Sequence, residues 1–131
     1  MENCIFCKII NKEIPSYTLY EDEDFIAFLD ITQVTKGHTL VVTKHHYKNI
    51  LDADENTSAQ AYKIVNRLAK KLCKKLNASG VNIIQNNNEV AGQTVDHFHI
   101  HIIPRYSEND SIIIKFEESN IDASSVYDLL K

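Results

Sequence analysis

The segment Asp96-His97-Phe98-His99-Ile100-His101-Ile102-Ile103 decides the fold, because histidines alternate with apolar residues along it. Alternate side chains of a β-strand point to opposite faces, so the pattern predicts one apolar face and one face lined by imidazoles. We expect residues 95–103 to form a strand that ends at Pro104, with its apolar face on the core. Successive imidazoles on the other face would lie about 6.5–7 Å apart.

An array of three imidazoles on one strand face suits two kinds of chemistry. Neutral imidazoles are common metal ligands, so the array could hold a metal ion. An imidazole can also attack phosphorus while neighbouring imidazoles fix its tautomer, stabilise phosphoryl charge and protonate the leaving group. The spacing alone does not decide between a metal site and nucleophilic catalysis.

Hydrophobic periodicity predicts the elements around this strand. We expect strands at residues 17–21, 25–30, 38–43 and 81–86, a short helix at residues 4–10 and a long helix at residues 56–76. The tail, residues 107–131, could contain a strand at 112–116 and a short helix at 124–130. Early strands, one long helix and two later strands indicate an α+β domain with an antiparallel sheet. We therefore expect a single domain over residues 1–131, with its core in residues 4–105.

The composition excludes several classes of protein. The 131 residues carry a formal net charge of −4, whereas non-specific nucleic-acid binding needs a basic surface. No apolar run approaches the roughly 20 residues of a transmembrane helix, and the first residues lack the features of a secretory signal. We therefore expect a cytoplasmic protein that binds neither nucleic acid nor membranes.

The residues from Gly92 to Arg105 resemble the signature of the histidine-triad (HIT) nucleotide hydrolases, His-φ-His-φ-His-φ-φ, where φ is apolar. The resemblance extends, in the same order, to residues 4–10, 13–15, 28–31 and 37–42. It implies a HIT-like fold with a five-stranded antiparallel sheet, one long helix and a short N-terminal helix.

The resemblance also implies roles for four histidines. His99, the middle member of the triad, takes the position of the family's nucleophile. His101 would contact the α-phosphoryl oxygens and assist the leaving group. His97 and His38 would orient the other two, and His38 matches a histidine that often buttresses His97. The nucleophile must present a lone pair, so we expect its other ring nitrogen to donate to a backbone carbonyl of the triad segment.

A nucleotide site follows from the same resemblance. Asp30 matches the acidic residue that binds the ribose hydroxyls, and Gln93, Thr94 and Asn86 match residues near the phosphate. The walls around the base match five apolar residues, which can equally belong to the core: Ile5, Phe6, Ile9, Phe28 and Ile31. Vicinal hydroxyls can donate to one carboxylate, and a base ring needs apolar faces, so these residue types suit a nucleotide.

Cys4 and Cys7 form a Cys-x-x-Cys pair with three interpretations. Some family members hold a structural zinc, and the resemblance assigns its ligands here to Cys4, Cys7, His46 and His97, a tetrahedral Cys₂His₂ set. The pair could instead be two buried thiols without metal. A redox role would need a thioredoxin-like βαβ context, which the sequence lacks.

The resemblance therefore predicts a hydrolase that releases AMP or GMP from a phosphoramidate through a nucleotidyl-histidine intermediate, without an organic cofactor. The first residues resemble the phosphoramidase branch, whereas Ile-Ile-Pro-Arg is shared with the dinucleoside polyphosphate hydrolases. A nucleotide-binding regulatory protein with incidental hydrolysis and a hydrolase with catalytic zinc are the alternatives.

The resemblance and the apolar residues of the long helix (Ala61, Ile64, Val65, Leu68 and Leu72) predict a homodimer formed through this helix and an edge strand.

Overall fold

The fold was described from a computed structural model, and the structure describes residues 3–131. Five strands form one antiparallel sheet in the order β1-β2-β3-β5-β4. The strands are β1 (Thr18–Glu21), β2 (Phe25–Leu29), β3 (Thr39–Thr43), β4 (Gly80–Ile84) and β5 (His99–Arg105). The helices are α1 (Ile5–Ile10), α2 (Glu55–Leu76) and α3 (Ala123–Leu130). The predicted α+β class, with one long helix and a short N-terminal helix, is confirmed.

Helix α2 forms where the sequence supplies both a cap and an apolar stripe. The Asp54 side chain accepts a 2.7 Å hydrogen bond from the Thr57 amide, which satisfies a free donor of the first turn. The helix ends at Leu76, and Asn77, which follows it, adopts the left-handed conformation with φ 56°. Four residues of the stripe are buried against the sheet: Ala61, Ile64, Val65 and Leu68.

Both faces of the sheet are covered, each by a different helix. One face packs on α2 through Phe98, Ile100 and Ile102, which are completely buried. The other face packs on α1, where Phe6 and Ile9 contact residues of β2 and β3. The apolar and imidazole faces expected from the alternation therefore lie where the pattern placed them.

Strand β5 differs from its expected bounds at both ends. It begins at His99, because the His97 amide donates to the Val95 carbonyl at 2.8 Å and turns the chain before the ladder. It continues through Pro104, which pairs with Val81 of β4. Proline is tolerated there because β3 pairs with β5 only as far as Ile102, so Pro104 has a ladder neighbour on one side alone.

The C-terminal arm, residues 107–131, lies outside the core. Residues 112–116 form no strand, since no strand of the chain lies beside them, and the helix expected at 124–130 is α3. No residue of α3 is buried. Among residues 3–131, no helix is both long and apolar enough to cross a membrane. The cytoplasmic location stays a prediction.

Candidate active site

His99 is held in one tautomer by the backbone of its own segment. Its Nδ1–H donates to the His97 carbonyl at 2.6 Å, so Nε2 keeps its lone pair. The ring is buried, and it packs edge-on against Phe6 with centroids 5.0 Å apart. Burial lowers the pKa of His99, which keeps the imidazole neutral near pH 7. The result is a neutral ring with an available nitrogen nucleophile.

His38 and His101 form a hydrogen-bonded pair beside His99. The Val34 amide donates to His38 Nδ1 at 3.3 Å, so the proton of His38 lies on Nε2. That Nε2–H donates to His101 Nδ1 at 2.9 Å, which leaves His101 with its own proton on Nε2. Burial, followed by the nearby His99 and His38, lowers the pKa of His101 to about 4. The expectation that His38 buttresses His97 is wrong, because the side chain of His38 reaches His101 instead.

A cavity of about 230 Å³ opens between α1 and the ends of β2 and β5. His99 and His101 form part of its wall, and Asp30 lies at its rim. One Asp30 oxygen accepts from the Thr32 amide at 2.9 Å, and the other lies 3.8 Å from His38 Nε2. The remaining predicted residues that line the cavity are Ile5, Phe6, Ile9, Phe28, Ile31 and Thr94. The cavity is largely apolar, and two imidazoles and a carboxylate lie at one end. It therefore suits a ligand in which a ring is attached to a polar, anionic group.

Next to this cavity, Cys4, Cys7, His46 and His97 converge, with one ligand atom of each lying within 4.8 Å of the others. The Cys4 and Cys7 sulfurs lie 3.3 and 3.5 Å from His97 Nδ1, and Cys7 lies 3.3 Å from His46 Nδ1. A tetrahedral zinc ion would separate its ligand atoms by about 3.6 Å, given the usual zinc–sulfur and zinc–nitrogen distances.

The protonation state of His97 also fits a metal ligand. Its Nε2–H donates to the Thr43 carbonyl at 2.6 Å, so the unprotonated Nδ1 faces the two sulfurs. Burial lowers the pKa of His97 to about 4, which keeps the ring neutral. Burial and a hydrogen bond with Cys4 raise the pKa of the Cys7 thiol to about 11, whereas a bound cation would favour the thiolate. The four residues therefore fit zinc.

Comparison with known proteins assigns the family. A family model described as HIT domain matches residues 11–108, about three quarters of the chain. The chain belongs to the HIT domain family. It is 50% identical over 109 residues to "Protein hit" of Bacillus subtilis, which covers 83% of this chain and 75% of that protein. It is 40% identical over 119 residues to the adenosine 5'-monophosphoramidase HNT1 of Saccharomyces cerevisiae, covering 91% of this chain and 73% of that enzyme.

Solved HIT structures share the fold. A HIT family protein from Bacillus anthracis superposes with a TM-score of 0.92 at 41% identity, covering 98% of this chain and 93% of that one. A zinc-bound histidine triad family protein from Mycobacterium smegmatis superposes with a TM-score of 0.81 at 35% identity, covering 89% and 85% of the two chains. The HIT family and the HIT-like fold that the sequence resemblance implied are both confirmed.

Gln93 and Asn86, which were expected near the phosphate, do not line the cavity between α1 and the ends of β2 and β5. The buried Gln93 amide binds four partners, because its oxygen accepts from Asn49 and Asn88 and its nitrogen donates to two backbone carbonyls. The Asn86 amide donates to the Gly92 carbonyl at 3.4 Å. In this conformation both side chains shape the loop before β5 and do not face the cavity.

Other cavity residues were not assigned to the site from the sequence. Ile14, Pro15 and Ser16 close one wall, and Leu29, Leu40 and Val95 complete the lining. The match of residues 13–15 to the HIT pattern was a usable signal for this wall. Val95 follows Thr94 directly, but its burial against α1 could not be inferred before the turn preceding β5 was known.

Proposed function

We propose that this HIT chain hydrolyses the bond between a nucleoside monophosphate, AMP or GMP, and a nitrogen leaving group. The pairing of His99 with the His97 carbonyl supports this most directly, since it aims a neutral lone pair at the cavity beside a proton donor, His101. The 40% identical yeast adenosine 5'-monophosphoramidase supports the substrate class.

The tautomers define two steps. His99 Nε2 attacks the α-phosphorus while the His101 Nε2–H donates a hydrogen bond to a phosphoryl oxygen, and the phosphorus–nitrogen bond breaks as the leaving nitrogen takes a proton from a water molecule. The hydroxide formed in this way attacks the nucleotidyl-histidine, its oxygen joins phosphorus, and the nucleoside monophosphate leaves as His99 regains its lone pair. Asp30 would bind the ribose hydroxyls and Thr94 the phosphate, while the apolar wall holds the purine.

Trapping the intermediate tests the mechanism. Rapidly quenched reactions with an adenosine phosphoramidate should show a nucleotidyl adduct on the peptide that contains His99. Ranking AMP and GMP amides, thiophosphates and dinucleoside polyphosphates by kcat/KM separates the phosphoramidase from the dinucleoside polyphosphate hydrolase. If phosphoramidate hydrolysis is not accelerated although AMP binds, the chain is a nucleotide-binding regulatory protein instead.

The triad does not favour a catalytic metal, because only His99 presents an imidazole lone pair to the cavity. His97 Nδ1 faces the cysteines, and His101 accepts from His38 at Nδ1, so its Nε2 carries a proton. We propose that zinc is instead bound by Cys4, Cys7, His46 and His97 in a closed structural site. The zinc-bound relative from M. smegmatis supports this assignment.

Metal analysis and thermal denaturation test the zinc proposal. Protein purified without added zinc should carry about one equivalent, and chelation should lower the Tm because the binding energy of a closed site adds to folding. Cys73→Ser, which alters a cysteine outside the cluster, should keep the zinc, whereas Cys4→Ser should lose it. Less than about a tenth of an equivalent with reduced thiols would contradict the proposal.

We also propose a homodimer, with a corrected interface. Ala61, Ile64, Val65 and Leu68, expected to face a partner, are buried in the chain's own core. A neighbouring apolar groove of about 610 Å³ lies between α2 and the edge strand β4. It is lined by Tyr62, Val65, Asn66, Ala69, Lys70, Cys73, Val81 and Ile83. An apolar groove beside an unpaired strand suits a two-fold symmetric contact.

Light scattering tests the proposed dimer. The measured mass should be twice 15.0 kDa, and a persistent 15.0 kDa species would contradict the dimer.

A further inference from the structure

The ring of His99 is positioned by two contacts that both lead to the Cys–His cluster (Cys4, Cys7, His46 and His97). The first is the His97 carbonyl, 2.6 Å from His99 Nδ1, which fixes the tautomer. The second is the Phe6 ring, whose centroid lies 5.0 Å from that of His99. His97 is a member of the cluster, and Phe6 lies between two members in the sequence.

The direction of the His97 carbonyl is fixed by the loop after β3, which contains Tyr47. The next amide, Phe98 N–H, donates to the Tyr47 carbonyl at 2.8 Å. The C=O and N–H of a trans peptide point in opposite directions, so this bond turns the His97 carbonyl toward His99. Tyr47 directly follows the cluster residue His46, and the His97 ring is itself held by the Thr43 carbonyl and the two sulfurs. The cluster thus joins the two segments that orient this peptide group.

Phe6 is fixed in a similar way. Cys4 caps helix α1, its sulfur accepting from the Cys7 amide at 3.2 Å. A group that holds both sulfurs therefore holds the one turn of helix that carries Phe6. From that turn Phe6 packs edge-on against His97, His99 and Phe28, with centroids 5.0–5.9 Å apart. Because α1 has only six residues, it has little stability of its own.

We propose that the Cys–His cluster positions the nucleophile, setting the tautomer and the ring orientation of His99 through the 97–98 peptide group and Phe6. The proposal rests on the proposed nucleotidyl-histidine chemistry and on zinc in the cluster. In this arrangement the cluster residues are positioning residues, and they touch neither substrate nor reacting atoms. Loss of the cluster lowers the rate of His99 attack more than it lowers nucleotide affinity, because most of the cavity wall comes from elements outside the cluster.

The test compares Cys7→Ser with His45→Asn as the control, since His45 is exposed and directly precedes the cluster residue His46 without belonging to the cluster. Three quantities are measured: the nucleotidylation rate constant by rapid quench, the AMP Kd by calorimetry, and the ¹⁵N chemical shifts of the His99 ring. For Cys7→Ser we expect at least a tenfold lower rate constant and an AMP Kd within threefold of wild type. The His99 shifts should change from one Nδ1–H tautomer to a mixture, and His45→Asn should match wild type.

Chelation keeps the test valid if Cys7→Ser does not fold. The same quantities are measured on wild-type protein before EDTA, after EDTA and after added zinc chloride, well below the Tm of each state. Reversible changes in rate and tautomer at a nearly constant AMP Kd support the proposal. A single unchanged His99 tautomer in the folded variant, or equal losses of rate and AMP affinity, would overturn it. Failure of the proposed function is distinguished by the lack of any His99 adduct in the wild type, in which case the tautomer measurement still decides this inference.

Discussion

The histidine face of the sheet and the C-terminal arm differ in where their partners lie. On the histidine face, His38, His97 and His99 are buried, and each ring has hydrogen-bond partners within the chain. Among the described residues, no buried side-chain nitrogen or oxygen lacks a partner. In the arm, Ile113, Phe116 and Leu129 are 85–92% exposed, although such side chains gain stability from burial. The polar groups of the histidine face thus find their partners within one chain, whereas these apolar side chains of the arm are not covered by it.

The arm and helix α2 also differ in charge. Residues 107–131 contain six acidic residues and two lysines, so the arm's net charge equals the −4 of the whole chain. Helix α2 contains six basic residues and one acidic residue. An acidic, apolar arm complements a basic helix that borders an apolar groove, so in the proposed homodimer the arm would pack on helix α2 of the second copy.

Removing the nucleophile should have the largest effect on the histidine face. We expect His99→Ala to lower kcat by at least about 1000-fold while AMP still binds, because no other side chain can form the adduct. Single-turnover kinetics and calorimetry measure the two effects, with the exposed His45→Ala as the control. A His99→Ala protein that retains more than about a tenth of wild-type kcat would exclude His99 as the nucleophile.

Removing the orienting histidine should have a smaller effect on the same face. His38→Asn takes away the Nε2–H donor to His101, so the proton of His101 is no longer fixed on Nε2. We expect kcat/KM for phosphoramidates to fall by about 10–100-fold, because a fixed hydrogen-bond donor to the phosphoryl group is weakened. His45→Asn makes the same substitution at an exposed position and should behave as wild type. An unaltered kcat/KM in His38→Asn would show that His101 needs no orienter.

Deleting residues 112–131 tests whether the C-terminal arm contributes to self-association. Since the arm contributes no residue to either core cluster, the truncated chain should keep its fold. Its self-association should weaken by about tenfold or more, because apolar contacts with a partner would be lost. Sedimentation equilibrium measures the Kd and far-UV circular dichroism the fold. An unchanged Kd would show that the arm does not contact a second copy.

Acid should lower the free energy of unfolding through the histidine face, and this is the smallest of the expected effects. Burial lowers the pKa values of His38 and His99, and those of His97 and His101 to about 4, so the unfolded chain binds more protons below pH 6.5. Their contribution to stability is complete above pH 6.5 and falls as the pH drops through 6.5 toward 4. We expect the free energy of unfolding to fall by about 1 kcal/mol between pH 7 and pH 5, after allowing for solvent screening. Urea denaturation at several pH values measures this, and His38→Asn should flatten the dependence while His45→Asn should not.

Local pattern was sufficient to predict the sheet and α2, because their apolar residues repeat with the period of the element. It failed where partners distant in sequence decide the outcome. Pro104 ends a strand by local rules, yet it remains in β5 because β3 has already ended. The His38–His101 pair depends on the register of β3 against β5, which alternation along a single strand cannot give.

Some of the expected site residues line the cavity, and others do not. Ile5, Phe6, Phe28 and Asp30 line the cavity as the family resemblance implied, since they lie on regular elements or at their ends. Gln93 does not, because its amide is committed to a loop network with Asn49 and Asn88 that exists only in the folded chain.

The position of β5 in the sheet has a consequence for how the chain folds during its synthesis. Strand β5 lies between β3 and β4, although it is the last of the five to leave the ribosome. Until it arrives, β3 and β4 expose backbone groups that only β5 can pair, and such edges readily join with other chains. The first half of the nascent chain can assemble the β1–β2–β3 meander early, but sheet closure and the nucleotide cavity must wait for residues 99–105. We therefore expect folding to be limited by insertion of the strand that carries the proposed nucleophile, His99.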